Sequence, residues 1–346
     1  MTPFPGRFLP TGVGSLPHED ADRAVRAVLV GCPAVPYWPQ LPRRAFVENM
    51  YAQFASGLPA SELSGGRLRV ETGEAMLAEA ETFYARFLSE DLDSFAIPAD
   101  RARGLFRLLA EEGRGFAAVK GQITGPVSFG LMVTDRGNRP LYYDPVGRDV
   151  LVKHLLRVSQ WQVAQLRRLS PDVILVVDEP YLASLGSGVL SLSREEVSVS
   201  LNEIFDGLPG TLCGIHCCAN TDWGLVLSTR VGYLSFDAYE YADSLLLYPE
   251  EVSDFLGRGG MLAFGIVPTG REEIARETPE TLAGRMDGIL GKFEERGIPA
   301  GEVARASFIT PACGLGTIPA GDAERAIRLA ADLSSLLASR YGGYAP

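Results

Sequence analysis

Eight short runs of β-type residues recur along this chain, and longer stretches with helical patterning lie between them. That alternation restricts the fold more than any other feature. The runs are FLPTGVG (8–14), AVPYW (34–38), FAAVKG (116–121), VILVVD (173–178), TLCGIHC (211–217), GYLSFDA (232–238), MLAFGIV (261–267) and ASFITPA (306–312). Between them come EDADRAVRAVLV (19–30), RDVLVKHLLRVSQWQVAQLRRL (148–169) and AERAIRLAADLSSLLASR (323–340). In the second of these, Leu151, Leu155, Val158, Val163 and Leu166 fall near one helical face. Strands joined through helices pair in parallel, and eight such units in 346 residues fit a single α/β domain, residues 1–346, folded as a (β/α)8 TIM barrel. An open doubly wound sheet is the runner-up, but no GxGxxG follows the first run, and GRGG at 257–260 lacks the Lys-Ser/Thr of a phosphate loop. Residues 57–95 are too many for a plain connection and are expected to add helices beside the barrel mouth. DRGNRPLYYDP (135–145) reads as a mobile loop on the same side.

Composition narrows the class of partner. A formal net charge of −11 argues against nucleic acid and anionic lipid, which reward clustered Lys and Arg. The apolar runs fall far short of the roughly 20 residues that a membrane helix needs. Five cysteines spread over a long chain are unlike a small disulfide scaffold, and the N-terminus does not read as a signal peptide. The expected location is the cytoplasm, with reduced thiols.

A barrel puts its chemistry just past the strand ends, at the C-terminal face. Unusual residues collect there: Ser15, Gln122, Asp178 and Glu179, His216 to Cys218, Asp237 and Glu240, and Cys313. Within GIHCCAN (214–220), side chains alternate along a strand, so His216 and Cys218 point one way while Cys213 and Cys217 point the other. His-x-Cys can therefore give one nitrogen and one sulfur to a single ion. Cys313 would add a second sulfur, and Asp237 or Glu240 a carboxylate, which completes the ligand set of a zinc ion. Two other accounts stand beside this one: small buried hydrophobes with a bonded histidine, or a redox pair, although no CxxC opens a helix. A thiolate-rich zinc site suits activation of a thiol substrate better than activation of water.

Taken together, LPTGVGSLPHED, KGQITGPVSF, VILVVDEPYL, IHCCAN and PACGL resemble, in order and spacing, the C-terminal catalytic barrel of cobalamin-independent methionine synthase. That superfamily also holds uroporphyrinogen decarboxylase and the coenzyme M methyltransferases. The resemblance runs over nearly the whole chain and implies that a second, N-terminal barrel is missing. It implies a methyltransferase that makes methionine from the small-molecule thiol homocysteine, like the 5-methyltetrahydropteroyltriglutamate–homocysteine enzymes. Zinc would be the cofactor, bound by His216, Cys218, Cys313 and an acid that is either Asp237 or Glu240. Asp178, in DEP, would hold the substrate's amino group, and Ser15, in GVGSLP, its carboxylate. Glu48, in RRAFVENMY, is the nearest candidate for a second acid.

One position departs from the family. Its folate-using members have a histidine after the seventh strand, similar to a proton donor for the leaving pterin, where this chain reads AFGIVPTG. His154, within an amphipathic stretch, reads as structural, and His18, in PHED, as a helix-start or site residue. A methylcorrinoid, such as one carried on a partner protein, would need no such acid. The donor is thus a methylcorrinoid or methyl-tetrahydrofolate. Two alternatives keep the zinc: methyl transfer to another thiol such as coenzyme M, and a non-catalytic zinc-binding partner of a corrinoid protein.

Overall fold

The computed structural model describes residues 6–89, 91–185 and 192–342. Its strands in chain order are β1 (Leu9–Pro10), β2 (Ser61–Ser64), β3 (Arg67–Val70), β4 (Val119–Thr124), β5 (Val173–Asp178), β6 (Leu212–Cys217), β7 (Tyr233–Phe236), β8 (Met261–Val267) and β9 (Ser307–Pro311). Seven of them form one curled sheet in the order β1-β9-β8-β7-β6-β5-β4, every neighbouring pair parallel. Helices such as Ala21–Gly31, Pro145–Leu166 and Ala320–Tyr341 alternate with the strands, as a parallel α/β sheet requires.

The expected ring of eight strands needs correcting to seven. AVPYW lies where the eighth would be but forms only isolated bridges, Tyr37 with Lys120 on β4 and Gln40 with Ser15 beyond β1. The cause is in its prolines: those at 33, 36, 39 and 42, one inside the run and three around it, remove every third N–H from this stretch, so no continuous ladder can form. Gly12 matches this packing, since a Cβ there would lie 2.3 Å from the Tyr37 ring.

Alternation along the strands sorts side chains into two cores. Val35, Ala118, Ile174, Val176, Tyr233, Met261, Ala263 and Phe308 pack together on the inner face. Val119, Ile123, Leu175, Val177, Ile215, Leu234 and Phe264 face outward into the helical layer. Residues 57–95 hold more than the helices expected. The hairpin β2–β3 turns at Gly65 and Gly66, both at positive φ, ahead of the helix Glu74–Leu88 and a 3-10 turn at Leu92–Phe95. The 135–145 loop is tied down: Asp135 accepts hydrogen bonds from Arg139 N at 2.9 Å and Thr72 Oγ1 at 2.7 Å, and Leu141 and Tyr142 are buried. Among the described residues, no helix is long and apolar enough to cross a membrane.

His154 belongs to this scaffold. It is buried in the helix Pro145–Leu166, and its Nε2 lies 2.8 Å from the Phe54 carbonyl, which can only accept, so Nε2 carries the proton. Burial lowers its pKa to about 4. Between that value and the ordinary 6.5, the unfolded chain binds the proton and the folded chain does not. Stability therefore rises with pH across that window and is lost as pH falls through it. The full effect is about 3 kcal/mol, since each tenfold change in proton affinity is worth about 1.4 kcal/mol. Urea unfolding at about pH 4.5 and pH 7 should show this slope in the parent and a flatter one in His154→Gln.

Candidate metal centre

His216 lies on the inner face of β6, Cys218 one residue past its end, and Cys313 just past β9. A ring nitrogen of His216 and the two sulfurs lie within 4.8 Å of one another. His216 Nδ1 sits 2.9 Å from Ser235 Oγ on β7, while its buried Nε2 has no partner. With the Ser235 hydroxyl accepting from Nδ1–H, the lone pair of Nε2 is left free to bind a cation. The two other cysteines of this strand, Cys213 and Cys217, are buried in the outer core, where burial pushes each thiol up to about 12. Cys218 moves the opposite way. Hydrogen bonding from Cys313 holds it well below the ordinary thiol range, while Cys218 and burial hold Cys313 above that range. An imidazole nitrogen and two such sulfurs, gathered around an unpartnered Nε2, fit a borderline-soft ion such as zinc.

Asp178 ends β5 and pairs in register with His216. It is buried, and its Oδ1 has no partner. Burial pushes the carboxyl up to about 6, against the pull of His216 and Lys120. The next residue faces the other way. Glu179 accepts hydrogen bonds from Val127 N at 2.9 Å and Ser128 N at 2.7 Å, at the start of the helix Pro126–Met132. DEP thus turns one acid toward the site and one into the wall.

The remaining sequence candidates lie outside this cluster of three donors, some beside it and some not. Ser15 Oγ accepts from Gly316 N at 3.3 Å, and a Cβ on Gly314 would lie 2.3 Å from that oxygen, so the Cys313 loop closes directly over Ser15. Glu48 is fully buried, ion-paired through Oε1 with Arg44, and has an unpartnered Oε2. Burial raises its carboxyl and Arg44 opposes the rise. Asp237 is half-buried and caps the helix Ala238–Leu245 by accepting from Glu240 N at 2.9 Å. The register that pairs Cys217 with Phe236 carries Asp237 alongside Cys218, whose charge adds to the upward shift that burial gives Asp237. Glu240 is exposed, on an outer groove with Arg285 and Lys292. Gln122 donates to the Trp38 carbonyl at 3.0 Å, and His18 Nε2 meets Glu324 at 3.1 Å.

Two further residues of the site do not stand out in the sequence. Ser235 could have been found two places before Asp237, on the same face of β7. Lys120, buried on the inner face of β4 with its pKa lowered to about 8 by burial, opens the motif KGQITGPVSF, but nothing in that motif says what its charge faces. A cavity of about 610 Å³ lies at the other end of the sheet, beside Ile174, Leu212, Arg258 and Gly260 and away from these donors.

No family model and no curated protein matches the chain. Among solved structures it is similar to a B12-independent methionine synthase from Shewanella sp. W3-18-1, in complex with selenomethionine. The TM-score is 0.60 and the identity 12%, covering 97% of this chain and 99% of that one. That likeness shows a shared fold along nearly the full length of both chains. A structure of fungal β-1,4-galactanases also matches, at 11% identity over 92% of this chain and 86% of that one, but its TM-score of 0.31 carries no argument.

If Ser235 orients His216, Ser235→Ala should weaken zinc binding by about tenfold to a hundredfold, the usual effect of removing the partner of a ligating histidine. Competition against a chromophoric chelator measures it, and an unchanged affinity would remove Ser235 from the site.

Proposed function

We propose that this chain is a zinc-dependent S-methyltransferase that methylates homocysteine to give methionine. The observation that supports this reading best is the meeting of His216, Cys218 and Cys313 within 4.8 Å, with the unpartnered oxygen of Asp178 on the adjoining strand. In this reading AVPYW completes the circuit as the eighth stave of a (β/α)8 barrel. His216 Nε2, Cys218 and Cys313 would hold the zinc. Asp237 is favoured over Glu240 as the fourth ligand, because it is half-buried beside Cys218 while Glu240 faces solvent. Zinc at this place would lower the pKa of a substrate thiol, making its sulfur nucleophilic at neutral pH.

The chain's own side chains would orient the acceptor. Asp178 takes the substrate ammonium with its free Oδ1, and Ser15 faces the carboxylate from the neighbouring loop. Glu48, with its own unpartnered oxygen, is held for the same ammonium. Methyl transfer forms the carbon–sulfur bond as the bond from the methyl to its donor breaks. A methylcorrinoid leaves as the reduced cobalt species without taking a proton, which suits the stretch AFGIVPTG with its lack of histidine. Methyl-tetrahydrofolate stays as the second donor. An acceptor without an amino group, such as coenzyme M, would make no use of Asp178.

Purified parent protein should contain close to one zinc per chain, and Cys313→Ser clearly less. Homocysteine-dependent methyl transfer, assayed with methylcobalamin and with methyl-tetrahydrofolate, should be present in the parent. Asp178→Asn should raise KM for homocysteine by roughly tenfold to a hundredfold, the loss of one charge-assisted contact. Reduced parent protein with no zinc would sink the reading. Zinc without thiol-dependent turnover from either donor would favour a binding partner of a corrinoid protein.

A further inference from the structure

Lys120 is a buried charge with no role in the methyl transfer just described. It is 1% exposed, and among the described residues it makes no ion pair. By strand alternation it shares the inner face of β4 with Ala118, Gln122 and Thr124. Its Nζ donates to the Val13 carbonyl at 2.6 Å and lies 3.4 Å from Gln122 Oε1. An ammonium in such a place is destabilising without a carboxylate partner, whereas methionine would fill the same space with no charge to desolvate. The side chain therefore needs a reason other than packing.

Its position supplies one. Val13 is two residues before Ser15, in a segment tied to β9 by Thr11 N to the Ile309 carbonyl at 3.0 Å and to the Cys313 loop by Leu315 N to the Ser15 carbonyl at 2.9 Å. β1 is only Leu9–Pro10, and beyond it the backbone ties to the proline-rich stave are Gln40 N to the Gly14 carbonyl at 3.1 Å and Leu16 N to the Gln40 carbonyl at 2.8 Å. Lys120 reaches across that stave from β4 and pins the segment from inside. Asp178 stands on the same inner face of the adjoining strand, opposite Thr124, where the ammonium acts on it through its charge. Lys120 therefore acts on both halves of the pair assigned to the amino-acid end of the substrate, on the Ser15 segment by a hydrogen bond at Val13 and on Asp178 through space.

We propose that Lys120 is a positioning residue for the amino-acid end of the acceptor: its bond to Val13 anchors the Ser15 segment from the inner side, and its charge balances Asp178, so that the pocket selects an amino-acid thiol over a plain one. The inference rests on the methyltransferase reading and adds a determinant of acceptor specificity to it. A residue that merely supported the fold would affect all thiols alike.

The test compares zinc-loaded parent and Lys120→Met by calorimetric titration with L-homocysteine and with propane-1-thiol. Zinc content and melting temperature are measured on the same samples. The expected result for the variant is unchanged zinc, a melting temperature no lower than the parent's, and unchanged propane-1-thiol affinity. Homocysteine should bind about tenfold more weakly, the scale of one misplaced charge-assisted contact. Unchanged homocysteine affinity overturns the inference. So does equal weakening of both thiols with a lowered melting temperature, because that is a packing defect. A parent that binds the two thiols equally overturns the amino-acid pocket itself, and this inference with it. If Lys120→Met does not fold, Lys120→Gln, polar but too short to reach Val13, carries the same comparison and the same outcomes.

Discussion

Parallel register at the ends of three adjacent strands is the constraint on which the candidate site depends. β5, β6 and β7 align Asp178 with His216 and His216 with Ser235, so three polar side chains stand in one inward row. A slip of one residue in β6 would send His216 into the helical layer and bring Cys217 inward, because the side-chain period of a strand is two. The outer residues of β6 oppose such a slip, since Ile215, now packed in the helical layer with Cys213 and Cys217, would exchange that packing for the inner face. The same hydrophobic pattern that builds the wall thus aims the donors.

Much of this is legible in the amino-acid sequence. VILVVD and MLAFGIV coincide with β5 and β8 residue for residue, because strands covered on both faces read as unbroken apolar runs. The opposed directions of His216 and Cys217 follow from alternation alone. AVPYW shows what hydrophobicity misses: its content is that of a strand, yet the prolines in and around it, visible in the sequence, deny it a ladder. The hairpin β2–β3 is hidden for a different reason. Its strands carry Glu62, Arg67 and Arg69 and have little of the apolar patterning that marks a strand.

The site divides along the same line. Residues that announce themselves by chemistry, such as histidine beside cysteine or paired acids at a strand end, can be picked out individually. Those defined by a partner on another strand cannot. Asp237 and Glu240 are equivalent as letters three apart, and only the β6–β7 register sets one beside Cys218 and the other toward solvent. Ser235 is an ordinary serine until His216 stands 2.9 Å away. Lys120 depends on a carbonyl more than a hundred residues upstream.

The proline-rich stave has a bearing on how this molecule behaves among copies of itself. A curled sheet that stops at seven strands has two outer borders, along β1 and β4, each a row of backbone groups able to capture a stray strand. Here the borders face a segment that covers them while offering few donors of its own. A foreign chain meets no free ladder there, because the segment, buried from Val35 to Leu41, already fills the gap between the borders. What the prolines take from the regularity of the sheet, the segment makes up by leaving neither border open to a stray strand.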